Sequence, residues 1–222
     1  MLSYTAPAFT ASNLAFSKAR ACLKRPKLEA KSVLDVVLAT LGLLVLAPLL
    51  ILLALAIRLD STGPALFRQT RTGLNGKKFR IYKLRTMTVQ EDGAVIQQAT
   101  QGDPRVTRIG RILRKTSLDE LPQLLNVIRG EMALVGPRPH ALAHDDYYGR
   151  EIPAYEHRFA VKPGITGWAQ VNGSRGETCT VADMQRRIDL DLWYVEHRSL
   201  ALDVTILART VVDEITRRTH AY

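Results

Sequence analysis

The stretch Val36–Ile57, VVLATLGLLVLAPLLILLALAI, runs for 22 residues without a charge. As a helix it would cover about 33 Å, enough for a hydrocarbon core of about 30 Å. It lies too deep in the chain and is too long for a cleaved signal peptide. It has no polar face, which argues against a buried helix of a soluble domain. The reading is a membrane segment, and the rest of the fold follows from how it sits.

Both flanks are basic. Six Lys and Arg residues fall between Lys18 and Lys31, and eight between Arg58 and Arg85. Positive charge beside a membrane segment favours the cytoplasmic side, so both ends demand the same side. Pro48, near the middle, removes a backbone hydrogen bond and crowds the preceding turn. A helix broken there would enter and leave by one face. A kinked span also accommodates the proline, and charge tips the balance towards the re-entrant form.

The remaining chain divides accordingly. Residues 1–30 read as a basic leader, 31–58 as a re-entrant helical hairpin, and 59–222 as a cytoplasmic catalytic domain. In ALFRQTRTGLNGKKFRIYKL, two strand-like runs flank Gly73 and Asn75-Gly76, a hairpin signal. Residues 88–104 are polar and turn-rich. Towards the end Val204, Leu207, Ala208, Val211, Val212 and Ile215 share a helix face. The fold class expected is α+β: a helix-break-helix membrane element and a mainly helical domain with a small β-hairpin and interfacial amphipathic helices.

The net charge of +10 points to an anionic partner: nucleic acid, phospholipid or a phosphorylated substrate. Cys22 and Cys179 lie far apart and show no metal spacing, consistent with a reducing compartment. No Walker A loop, GxGxxG fingerprint, helix-turn-helix or RNA-recognition spelling is present. ATP-driven chemistry and nucleic-acid binding are thereby disfavoured.

TSLDELPQL, residues 116–124, holds the adjacent carboxylates Asp119 and Glu120. Ser117 followed by Glu120 spells a capping box, and acids suit a first helical turn. Pro122 strains that reading by lacking an N–H. Arg105, Arg108, Arg111, Arg114 and Lys115 precede the pair, and a carboxylate among such charge stays ionised, as a nucleophile or metal ligand must. Spacing alone leaves cap and chemistry both open.

In VGPRPH, Arg138 lies between two prolines, a stiff mount for a guanidinium whose fork matches phosphate oxygens. In FRIYKLRTM, Lys83 and Arg85 are two positions apart, on one face of a strand, and could grip a diphosphate. His140 and His144 are four apart without an HExxH spelling, and read as structural or solvated.

KSVLDVVLATLGLLVLAPLL, FRIYKLRTM, LRKTSLDELPQLLNVIRGEMALVGPRPH, VKPGITGWAQVNG and DLWYVEHRSLALD occur in that order. Together they resemble the bacterial sugar transferases, the monotopic phosphoglycosyl transferases that begin exopolysaccharide, capsule and O-antigen assembly. The resemblance runs from about Lys31 to about Glu214. It implies transfer of a sugar 1-phosphate from a UDP-sugar to undecaprenyl phosphate, with Mg²⁺, on the cytoplasmic face of the bacterial inner membrane. UMP leaves, and downstream glycosyltransferases would extend the product.

By the same resemblance Asp119 is the nucleophile that forms a phosphosugar intermediate. Glu120 is the neighbouring acid, and both are assigned to the metal. Lys83, Arg114 and Arg138 match basic residues that contact substrate phosphate. The family breaks its membrane helix at a Ser-Pro pair; here it is Ala47-Pro48. Large members add a multi-span region ahead of the catalytic portion, and this sequence is expected to hold only that portion and a leader. GPRPHALAHDDYY and KPGITGWAQVNGSRGET look most like members that transfer glucose 1-phosphate, with galactose or an N-acetylated sugar as the alternative. A membrane-anchored basic binding protein without catalysis is the competing class.

Overall fold

In a computed structural model, residues 25–88 and 102–216 are described. The leader expected over 1–30 lies outside them up to residue 24, as does most of the polar loop expected over 88–104.

Helix α1 (Arg25–Asp60) is one 36-residue element with Pro48 inside it. The two shorter helices expected around the proline are thus a single helical run, with Pro48 on its exposed side. One narrow stripe of α1 packs on the domain. Ala39, Leu43 and Leu46 join Phe79, Ile81, Leu124, Val127 and Met132; Leu50, Leu53 and Ile57 join Leu84 and Leu113. Their spacing alternates between four and three, as in a coiled-coil seam. Between Leu41 and Leu55 the outward side of the helix, including Leu44, Val45, Ile51 and Leu52, is exposed and apolar. Water-soluble proteins rarely expose a continuous patch of that size. The solvent for this face is lipid, and the protein is membrane-associated.

Strands β1 (Leu66–Thr72) and β2 (Lys78–Leu84) form an antiparallel hairpin in which Phe67 faces Lys83 and Thr72 faces Lys78. Its turn uses Asn75 at φ 54° and Gly76 at φ 78°, as the Asn-Gly spelling predicts. After the undescribed segment come α2 (Arg108–Lys115), a 3₁₀ turn (Leu118–Gln123), α3 (Leu124–Ile128) and β3 (Ala133–Val135). These are followed by α4 (Leu142–Glu151), a second 3₁₀ turn (Tyr155–Ala160) and β4 (Gly164–Thr166). The chain closes with α5 (Trp168–Val171), α6 (Val181–His197) and α7 (Leu200–Thr216). β3 and β4 pair in parallel, Ala133 with Gly164 and Val135 with Thr166.

Helix α6 opens on a true capping box, Thr180 with Asp183. The apolar face expected on α7 points outwards: Val204, Val211, Val212 and Ile215 are exposed, whereas Asp203 and Ile206 are buried. Asp203 accepts from Lys31 of α1 and from the Tyr194 hydroxyl. That contact sets α7 beside the start of the membrane helix.

Candidate active site

Three segments meet at Glu120. Lys83 arrives on β2, which is held by Asn126 of α3. Asn126 is fully buried; its Oδ1 accepts from Tyr82 N (3.1 Å), and its Nδ2 donates to Arg80 O (2.7 Å) and to Glu131 Oε2 (2.7 Å). A side chain thus satisfies the strand edge that a third strand would otherwise pair.

The second segment descends from α2. The Thr107 side chain caps this helix by accepting from Gly110 N. A Cβ on Gly110 would lie 2.0 Å from Thr86 O, so only glycine lets α2 sit against the backbone beyond β2. Ser117 then turns the chain in the left-handed region, φ 54°, and Asp119 and Glu120 follow in the first turn of the 3₁₀ element.

The third is the loop carrying Arg138. Gly136 N donates to Thr166 O, and Gly164 N to Pro137 O. A Cβ on Gly164 would lie 2.1 Å from Gly136 N. Two proline-bearing loops are therefore pressed backbone to backbone, which fixes where Arg138 projects.

The guanidinium of Arg138 donates through Nη1 and Nη2 to both oxygens of Glu120, and Lys83 Nζ donates to Oε1 at 2.8 Å. Asp119 is 9% exposed, and its carboxylate has no hydrogen-bond partner among the described residues. The adjacent acids are therefore unlike: one is clamped, the other open.

Their electrostatics diverge as well. Burial, then the charge of Glu120, raises Asp119 to about 6, against the opposing pull of Lys83, Arg138 and Arg114. Burial also pushes Glu120 up, but Arg138 and Lys83 together outweigh it and hold this carboxyl well below its usual range. Burial lowers Lys83 despite its carboxylate partner. At neutral pH Glu120 is anionic and saturated, and Asp119 is mostly anionic with its oxygens available.

The capping box read from Ser117 and Glu120 does not form. Ser117 Oγ donates to Glu214 Oε1 (3.1 Å) and accepts from Arg175, while the Glu120 carboxylate turns to its cations. Arg114 stands close enough for its charge to act on Asp119. Arg85 lies elsewhere. It is 2% exposed and donates to Ser61 O (2.7 Å), Ser61 Oγ (2.9 Å) and Thr62 O, closing the C-terminal end of α1. The two-residue alternation fails for it because β2 ends at Leu84.

Sequence reasoning missed the support behind Arg138. Arg158 is 2% exposed; its Nη2 donates to Arg138 O (2.6 Å) and to Asp191 Oδ2 (2.8 Å), and its Nη1 lies 2.7 Å from His140 Nδ1. The Tyr155 hydroxyl completes the cluster by donating to Asp145 Oδ1 at 2.7 Å. Burial, then the charge of Arg158, lowers His140 far below its ordinary range, so it is a neutral structural imidazole. The available signal was on α6, where Arg187 and Asp191 share the buried face with Met184, Ile188 and Tyr194.

A magnesium ion would find two neighbouring carboxylates here, one with open oxygens. Among the described residues no three His, Cys, Asp or Glu side chains converge to form a cage. The donor set fits an ion that takes one or two carboxylates and completes its shell with substrate phosphate and water.

Residues 26–217 match the family described as bacterial sugar transferase. The UDP-glucose:undecaprenyl-phosphate glucose-1-phosphate transferase of Caulobacter vibrioides is 60% identical over 186 residues, covering 84% of this chain and 70% of that protein. The protein of the same name in Escherichia coli is 54% identical over 177 residues, covering 80% of this chain but only 38% of that protein. An exopolysaccharide production protein of Rhizobium leguminosarum is 48% identical over 191 residues, covering 84% of this chain and 96% of that protein. A match over most of the chain, joined to a site built from the acid pair and the proline-clamped arginine, settles the kinship: this protein belongs to the bacterial sugar transferase family.

Proposed function

We propose that this chain transfers a sugar 1-phosphate, glucose 1-phosphate first among candidates, from a UDP-sugar to undecaprenyl phosphate. The observation that carries the reading is the asymmetry of the acid pair. Asp119 is an open carboxylate beside a Glu120 fixed by Arg138 and Lys83.

Oδ of Asp119 attacks the sugar-bearing phosphorus, and the bond from that phosphorus to the UMP oxygen breaks, with UMP taking the electron pair. An oxygen of undecaprenyl phosphate then attacks the same phosphorus and releases the Asp119 carboxylate. Lys83, Arg114 and Arg138 neutralise charge on the phosphates, the main task in phosphoryl transfer. Glu120 keeps Lys83 and Arg138 aimed and, with its carboxyl held well below the usual range, stays anionic throughout. Magnesium, when bound, would be held by the open oxygens of Asp119 with the diphosphate rather than by Glu120, whose oxygens Arg138 and Lys83 occupy, and would add charge neutralisation and orientation.

The membrane element acts as a monotopic anchor on the cytoplasmic face of the inner membrane, its helix lying along the domain it packs on. Support comes from the packing of α1: Lys31 near its start and Ile57 near its end both contact the same domain. A helix standing upright through a bilayer would drag that domain's polar surface into lipid. The outward stripe of α7, with the basic flanks, suits an interfacial helix on anionic lipid.

The test is UMP release from UDP-glucose by the purified chain in vesicles containing undecaprenyl phosphate, with Asp119→Asn as control. Turnover that survives in Asp119→Asn rejects the nucleophile. Preference for another UDP-sugar replaces glucose.

A further inference from the structure

Asp119 is bracketed along the chain. On its C-terminal side Glu120 is held by Arg138 and Lys83. On its N-terminal side stands Ser117, at φ 54° and ψ 15° although it is not a glycine. A side chain in that region carries a cost and persists only where its surroundings over-determine it. The main-chain bonds of Ser117 are local: its N–H donates to Arg114 O at 3.3 Å, and its carbonyl accepts from Glu120 N at 3.1 Å. What reaches it from a distance is a closed triangle. Arg175 donates to Ser117 Oγ and pairs with Glu214, while Ser117 Oγ donates to Glu214 Oε1. The hydroxyl therefore both donates and accepts, and its orientation is set from outside the turn.

Both partners have firm mounts. Arg175 lies in the loop between α5 and α6, between Gly173 (φ 83°) and Gly176 (φ 94°). Ser174 N donates to Ala169 O at 2.9 Å, and the buried Arg187 donates to Gly176 O at 2.8 Å, so the loop is tied on both sides of Arg175. Glu214 stands one turn beyond Thr210 on α7. There the Thr210 and Thr166 hydroxyls lie 2.7 Å apart, and Arg209 donates to Val171 O at 2.6 Å. A partly exposed ion pair adds little to stability, yet this one joins three elements two positions before Asp119.

We propose that Arg175 and Glu214 are positioning residues for the transfer. By holding Ser117 in the left-handed region, they keep the Asp119 carboxylate in line with the sugar-bearing phosphorus. The assignment rests on the transferase reading and deepens it by extending the site beyond the acid–cation clamp.

Arg175→Met, Glu214→Met, the double variant and Glu214→Gln are compared with wild type by kcat and KM for UMP release from UDP-glucose, in vesicles containing undecaprenyl phosphate. UDP affinity and melting temperature are measured alongside. Each Met variant should lose kcat on the order of 10- to 100-fold, with KM and UDP affinity within about threefold of wild type. The double variant should match the slower single within about twofold, since either change opens the same triangle. Glu214→Gln keeps an acceptor oxygen and should run at least about threefold faster than Glu214→Met.

Single variants within about twofold of wild type overturn the proposal. So does a fall in kcat matched by falls in UDP affinity and melting temperature, the mark of a structural brace, and so do losses that multiply in the double variant. All three outcomes leave the transferase standing. If wild type releases no UMP from any UDP-sugar, both readings fall. If Arg175→Met fails to fold, Glu214→Met and its rescue by Glu214→Gln decide alone.

Discussion

Arg158 donates to the main-chain carbonyl of Arg138, the residue whose guanidinium holds both oxygens of Glu120. A buried side chain on one loop thus sets the aim of a charged side chain on another. Displacement of a catalytic group by about 1 Å can cost on the order of 10²-fold in rate. Arg158→Ala should lower kcat by about that factor, with UDP affinity changed less than about threefold. Arg158→Lys, which can reach only one acceptor, should recover part of the loss. Equal falls in kcat and UDP affinity would mark Arg158 as merely structural.

Asp119 gives a pH signature. Because its carboxyl is raised to about 6, the attacking form is lost as pH falls through that value. kcat/KM should drop about tenfold per unit below it, and a flat profile down to pH 5 would count against Asp119 as nucleophile.

The same shift has a thermodynamic face. The folded carboxyl sits above its ordinary value of 3.8, so holding it ionised costs stability, fully above about 6 and not at all below 3.8. Asp119→Asn should therefore stabilise the folded protein by about 1–3 kcal/mol at pH 8 and by nearly nothing at pH 4. Melting curves in detergent micelles at both pH values check the sign.

Asn126 predicts a loss at a distance. Asn126→Leu strips partners from Arg80 O, Tyr82 N and Glu131. Each buried group left unpaired costs about 1–3 kcal/mol, so the hairpin bearing Lys83 should loosen. Faster hydrogen exchange in residues 78–84 is the expected result, and unchanged exchange would refute the strand-edge role.

For the membrane element, cysteines introduced at Ser32 and Ser61 flank the apolar run. Both should react with an impermeant thiol reagent added to the cytoplasmic side, and neither from the opposite side. Labelling of the pair from opposite faces would establish a span.

How much of this could be read in advance varies by physics. The hairpin turn was legible because Asn75-Gly76 has few alternatives, and the membrane run because length and apolarity are local properties. Asp119 and Arg138 were marked by unusual neighbours. The capping-box spelling at Ser117 misled because Arg138 and Lys83, 18 and 37 residues away from Glu120, compete for the carboxylate. Arg85 misled because pattern cannot say where a strand stops. Arg158 left no mark, since what distinguishes it is a set of partners brought near only by folding.

The seam along α1 bears on how the protein is made. Emerging from the ribosome ahead of the hairpin and α2, that helix can partition into lipid before they exist. Phe79 and Ile81 find cover on Ala39 and Leu43, and Leu84 and Leu113 on Ile57. The membrane-held helix is then a template on which the later segments assemble. A fragment begun after Asp60 would be translated without that template. It would display those four side chains to water and would collect as aggregate even though every catalytic group is present.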